Sequence, residues 1–233
     1  ALAERLGCPI LTTFAGSGAV ASAHPNALQF ESDAGQQAVS ACDLLLAVGT
    51  SFPENVNYGR LAAFQKNEKQ RRCILIDGDA AAVGLNRPVD LALIGALPAV
   101  LGQLHRASAS RPKDPRLPHW KQMENEERQQ AISTLPNRPA IHPARLMLEA
   151  RQVVPDEAAI VLDGGLTIFY QHAFLEKRGG HFIYGAHYSH LGCGLAQAIG
   201  VQLALGRQTP VCLISGDGAL GFHIMELETA VRH

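Results

Sequence analysis

Gly216-Asp217-Gly218 follows the apolar run Cys212 to Ser215 and precedes a segment with helical spacing, Phe222 to His233. In a parallel α/β sheet, ligands bind in the crevice beyond the carboxyl ends of the strands. An aspartate there faces solvent and any bound ion. Glycines on both sides let the backbone approach a ligand closely. The helix that follows presents unpaired N–H groups and a positive dipole end, which suits a phosphate. A carboxylate beside a phosphate needs a cation between them, and Mg²⁺ takes one or two carboxylates together with phosphate oxygens. The tripeptide reads as a metal–diphosphate site. The plain alternative is a solvated turn capped by aspartate.

Two other turns belong to the same half of the chain. Asp163-Gly164-Gly165 closes the run Ala158 to Gly165, and the hydroxyl of Thr167 follows it. Gly185 stands near the end of His181 to Ala186, which leads into a small-residue helix from Gly192 to Gly206. Three glycine-lined turns at strand ends can frame one ligand, and ordinary strand-to-helix loops can look the same. Other groups carry less. Gly16-Ser17-Gly18 lacks a third glycine at dinucleotide spacing. His181, His187 and His190 lack zinc spacing. Glu226 and Glu228, two apart on a helix, do not share a face, which leaves Glu226 to pack or bond under the metal turn.

The elements that must position these turns alternate along the chain. Cys8 to Phe14, Asp43 to Phe52, Arg72 to Asp79 and Val89 to Ala96 read as strands, and Leu97 to Arg106 as a helix with proline in its first turn. Small residues, prolines and mixed charges from Ala107 to His119 read as a linker or surface crossing. Trp120 to Ser133 reads as a charged, solvated helix, and Leu135 to Pro143 breaks the chain again. A proline-opened helix, Pro143 to Val154, then begins a second strand–helix alternation that ends with the strand and turn Thr209 to Gly218. Apolar strands separated by helices predict an α/β fold with two open, mainly parallel sheets covered by helices. The expected division is 1–106, a connecting stretch 107–140, and 141–233.

Bulk properties narrow the partners. The 233 residues are 47% hydrophobic and 18% charged with a formal net charge of -1, so nothing favours nucleic acid or a membrane surface. The five cysteines are scattered, odd in number and without a CxxC. That argues for free thiols in a reducing, cytoplasmic setting. No apolar stretch is long enough to span a bilayer and no signal peptide is visible. The first residues read as the last turns of a helix stopped by Gly7, and both ends look cut.

The stretch "GDGALGFHIMELETAVR" resembles the cofactor motif of the thiamine-diphosphate-dependent superfamily that includes acetolactate synthase, pyruvate decarboxylase and benzoylformate decarboxylase. Gly216, Asp217, Gly218, Glu226, Leu227, Thr229, Ala230 and Arg232 stand in the matching positions. "LAERLGCPILTTFAGSGAVASAHP", "CDLLLAVGTSF" and "LIDGDAAAVGLNRPVDLALIGALPAVLGQL" resemble the family's central domain. "HLGCGLAQAIGVQLALG" resembles the helix leading to the diphosphate strand. The style is closest to acetolactate synthase-like carboligases.

The resemblance implies thiamine diphosphate and Mg²⁺ as cofactors and a 2-oxo acid as substrate. It implies that Asp217 is the metal ligand, that the amides of Ala219 and Leu220 meet the diphosphate, and that Gly165 and Thr167 contact it from the earlier turn. Leu191 stands where the family places an apolar wedge that bends the cofactor, and the carbonyl near Gly192 where it bonds the pyrimidine amino group. The thiazolium would act as electron sink for loss of CO₂. The parent would be a homodimer or homotetramer.

Departures from the pattern set further expectations. The family's second metal-binding asparagine falls past His233, and its activating glutamate belongs to an N-terminal domain. No catalytic residue is therefore expected within these residues, and the chain alone is expected to be inactive. Leu166 and Thr167 replace a polar pair, and His190 replaces a small residue. FAD is a second cofactor that the family raises, but "NALQFESDAGQQAVSA" lacks the glycine-histidine-glycine stretch that helps hold it. The rival from another class is a non-catalytic nucleotide- or flavin-binding module, or a degenerate scaffold relative, in which Asp217 is only a turn residue.

Overall fold

A computed structural model describes residues 1–136, 140–185 and 190–233. It divides into two compact units: Ala1–Thr13 with Leu28–Glu126, and Phe14–Ala27 with Glu127–His233.

The first unit runs α1 (Leu2–Leu6), β1 (Ile10–Thr12), α2 (Asp33–Ala41), β3 (Leu44–Val48), α3 (Ala62–Gln65), β4 (Arg72–Asp77), β5 (Leu91–Ile94) and α4 (Leu97–Ala107), with β2 (Ala27–Gln29) at its boundary and most of α5 (Leu117–Ser133). Strands β3, β4 and β5 form a parallel sheet in that order, with Leu45 beside Cys73 and Ile76 beside Leu93. Its core gathers Phe30, Val39, Ala47, Phe52, Phe64 and Leu75. The expected strand Cys8 to Phe14 shrinks to three residues. Helix α2 lies in a segment to which sequence reading assigned no element. Its signal is the Ser32 hydroxyl, which accepts the Gly35 N–H at 3.0 Å as an N-cap.

Helix α5 corrects the expectation of a solvated helix. Glu126 and Glu127 face water, but Leu117, Trp120 and Glu124 are buried. Trp120 packs with Leu28, Ala34 and Ala38, and Glu124 accepts the Gln29 backbone N–H. One aromatic residue per few turns is too sparse for a periodicity argument to find that face.

The second unit contains α6 (Pro143–Val153), β6 (Ala159–Leu162), α7 (Leu166–Phe174), β7 (Phe182–Tyr184), α8 (Cys193–Leu205), β8 (Val211–Ile214), α9 (Asp217–His223) and α10 (Glu226–Arg232). The sheet is parallel in the order β7-β6-β8. All four residues of β6 are buried, as a central strand covered on both faces requires. Ile160 and Leu162 pack with Met147, Ile168 and Leu175. Residues 14–27 join this unit through Ser17, whose hydroxyl lies 2.9 Å from His172 Nδ1, and through Ser22, whose Oγ accepts the Lys177 N–H. The expected helix Phe222 to His233 starts earlier, at Asp217, and is divided at Ile224 and Met225. Ala186, in the expected strand His181 to Ala186, and His187 lie outside the described residues.

None of the five cysteines is in a disulfide. Burial is the leading cause that pushes each above its ordinary value of 9.0. Since the thiolate is the reactive species, alkylation of the native protein at pH 8 is expected to be several-fold slower than in denaturant. A thiol that reacts as fast in the native protein as in denaturant would contradict this. No described helix is long and apolar enough to cross a membrane.

Candidate functional site

The strand order creates the site. From β6 the chain passes to β7 on one side, then crosses to β8 on the other. Right-handed crossovers put the two connecting helices on opposite faces. Helix α7 packs on α6 and β6, and α8 packs on β6 and β8. The border between β6 and β8 is therefore the switch point, where the crevice beyond the strand ends accepts ligands. Leu162 pairs with Ile214, so the next residues, Asp163 and Ser215, stand side by side at its floor.

Asp163 is fully buried. Its Oδ1 accepts the N–H groups of Gly164 at 2.8 Å and Gly192 at 2.9 Å, and its Oδ2 accepts the Ser215 hydroxyl at 2.8 Å. A desolvated carboxylate is tolerable because its lone pairs are filled in this way. One side chain thus ties the ends of β6 and β8 to the start of α8. Sequence reading named the Asp163 turn without giving Asp163 or Ser215 a role. The signal available was position, since each directly follows its strand.

Around this floor sit the residues singled out from the sequence. Gly165 caps α7 at φ 84° and ψ -160°. Leu191 Cδ2 lies 3.2 Å from where a Cβ on either Gly164 or Gly165 would stand, so the leucine covers that turn. Gly192 caps α8 at φ 90°. The Thr167 hydroxyl donates into its own turn, toward the carbonyls of Gly164 at 2.9 Å and Asp163 at 3.3 Å. At the end of β8, a Cβ on Gly216, Gly218 or Gly221 would meet no atom within 4 Å, so the crevice is open there.

Asp217 is exposed in the first turn of α9. The amides of Asp217, Gly218 and Ala219 are those a first helical turn leaves without an intrahelical acceptor. Leu220 differs, because its N–H donates to the Gly216 carbonyl at 2.9 Å. Glu226 accepts the Thr229 hydroxyl at 2.7 Å, and Glu228 pairs with Arg232 at 3.1 Å, so the two glutamates have separate partners. Among the described residues no group of three or more His, Cys, Asp or Glu side chains could hold a metal ion. A single carboxylate sharing a cation with a diphosphate does not require such a group.

Residues 163–233, which begin at Asp163 and include every turn of this crevice, match the family model "Thiamine pyrophosphate enzyme, C-terminal TPP binding domain". Residues 1–104 match its companion, "Thiamine pyrophosphate enzyme, central domain". The chain belongs to the thiamine pyrophosphate enzymes. Thiamine pyrophosphate and thiamine diphosphate are one compound.

Within this family the chain is 31% identical over its whole length to the acetolactate synthase large subunit of Parasynechococcus marenigrum, of which it covers 37%. It is 32% identical to the putative acetolactate synthase large subunit IlvB2 of Mycobacterium tuberculosis, covering 42% of that protein. Over 99% of its length it is 26% identical to the putative thiamine pyrophosphate-containing protein YdaP of Bacillus subtilis, covering 40% of it. The chain thus spans about two fifths of the length of these thiamine pyrophosphate enzymes and relatives.

Proposed function

We propose that this chain carries the diphosphate-binding part of an Mg²⁺-dependent thiamine diphosphate enzyme that makes or breaks carbon–carbon bonds on 2-oxo acids, an acetolactate synthase-like carboligase. The observation that carries the reading is the coincidence of the TPP-binding match with the switch-point crevice, where Asp217 stands exposed beside free helix amides. The acetolactate synthase names of the relatives support the carboligase class.

Asp217 would hold Mg²⁺ together with diphosphate oxygens, and Gly216 and Gly218 would leave room for them. The amides at the start of α9 would donate to the diphosphate. Gly165 would keep the earlier turn free of side chain, and Leu191 would give the cofactor an apolar contact. The residues fit the group: open glycines, free donors and an exposed carboxylate meet at one crevice. Bound thiamine diphosphate would supply the electron sink for decarboxylation of a 2-oxo acid. Five cysteines with no disulfide among them support a reducing, cytoplasmic setting.

Thermal unfolding tests the binding. A ligand at a hundred times its Kd stabilises by about 2.7 kcal/mol, which raises the midpoint of a domain this size by about 5–10 °C. Thiamine diphosphate with Mg²⁺ is expected to do so, and an unchanged midpoint at saturating cofactor would count against the site.

A further inference from the structure

We propose that Asp163 is the positioning residue of the crevice: its carboxylate locks the ends of β6 and β8 and the entry to α8 into one frame, preformed for the diphosphate. The inference rests on the reading of the crevice as a diphosphate site, but the frame is a property of the chain's own residues. Three of the roughly four lone-pair sites of a carboxylate are filled by the Gly164 and Gly192 amides and the Ser215 hydroxyl, each at 2.8–2.9 Å. The three donors come from three different stretches of chain, and two of them are 29 and 52 residues away from Asp163.

Helix α8 is built to reach this carboxylate. A Cβ on Gly194 would stand 2.9 Å from both Cβ and Cγ of Asp163, so only glycine lets the helix come so near. From below, the β8 carbonyl of Ile214 accepts the Asp163 N–H at 3.2 Å. Leu191 precedes Gly192 directly and covers Gly164 and Gly165. The carboxylate that holds Gly192 therefore also sets where Leu191 stands. Ser215 can turn its single proton to Asp163 or to the Gly216 carbonyl, 3.2 Å away. The charge-assisted bond to the carboxylate is the stronger, and it anchors the residue just before Gly216-Asp217-Gly218.

The role is one of shape, not charge. In Asp163→Asn the side-chain oxygen still accepts two amides, and its NH₂ donates to the Ser215 oxygen. In Asp163→Ala both amides lose their acceptor.

Amide hydrogen exchange of the cofactor-free protein reads the frame directly. The Gly164 and Gly192 amides are expected to be protected in the wild type, to lose protection together in Asp163→Ala while the β6 amides stay slow, and to stay protected in Asp163→Asn. Calorimetry with thiamine diphosphate and Mg²⁺ reads the consequence. Asp163→Ala is expected to weaken binding roughly tenfold or more, as two lost hydrogen bonds imply, and Asp163→Asn to bind within a few-fold of wild type. Unchanged exchange or unchanged affinity in Asp163→Ala would overturn the proposal, as would damage in Asp163→Asn equal to that in Asp163→Ala. If Asp163→Ala fails to fold, Asp163→Asn decides alone: fast exchange at Gly192 or lost binding refutes the frame. A wild type that shows protected amides but no binding would refute the diphosphate reading and leave the frame standing.

Discussion

Gly192→Ala is expected to destabilise the protein by about 2–4 kcal/mol, combining a left-handed backbone penalty with overpacking. Gly192 sits at φ 90°, and a Cβ there would stand 2.7 Å from His223 Nδ1, 2.8 Å from Phe222 Cβ and 2.9 Å from the Ala219 carbonyl oxygen. The imidazole can turn away, but the helix backbone and a Cβ cannot. Helix α9 would have to leave α8, carrying Asp217 with it, while strain at residue 192 pulls its amide from Asp163. Chemical denaturation should show a lower midpoint with an unchanged slope, and cofactor binding should fall with it. Wild-type stability in this variant would mean that the α8–α9 contact is looser than described.

Arg71→Met is expected to cost about 3–5 kcal/mol, because several buried carbonyls lose their donor at about 1–3 kcal/mol each, against a total of about 5–15 kcal/mol for a typical domain. Arg71 is buried, and its guanidinium donates to five carbonyls, those of Val39, Cys42, Ala63, Phe64 and Lys66. These close the last turn of α2 and the turn of α3, where carbonyls have no intrahelical partner. Methionine fills the volume but donates nothing. Arg71→Lys, with three donors on one nitrogen, should recover only part of the loss. Equal stability of Arg71→Met and wild type in denaturant titration would contradict this role.

The two cases differ in what a reader of sequence could see. The runs that became β3, β4, β5, β6 and β8 are apolar on both faces, and such runs announce buried parallel strands by composition alone. Gly216-Asp217-Gly218 was legible as a strand-to-helix junction because the glycines, the carboxylate and the helix start are consecutive. Asp163 was not, because its meaning depends on Gly192 and Ser215 being neighbours, and only the order β7-β6-β8 makes them so. Arg71 looked like one more charge in "KNEKQRR", and nothing local marks it as the donor to two helix ends. The division of the last helix at Ile224 and Met225 also escaped, since both residues keep right-handed helical angles and neither is a breaker. The buried face of α5 rests on Trp120 and Glu124, whose partners lie near Leu28 and Gln29.

The most direct measurement is a calorimetric titration of the protein with thiamine diphosphate, with and without Mg²⁺, in wild type and Asp217→Ala. The account predicts saturable binding to the wild type that requires Mg²⁺. It predicts a loss of at least about tenfold in affinity in Asp217→Ala, because the cation then has no exposed carboxylate at the crevice, the Asp163 oxygens being taken up by their own donors. Wild-type affinity in Asp217→Ala, or binding indifferent to Mg²⁺, would contradict it.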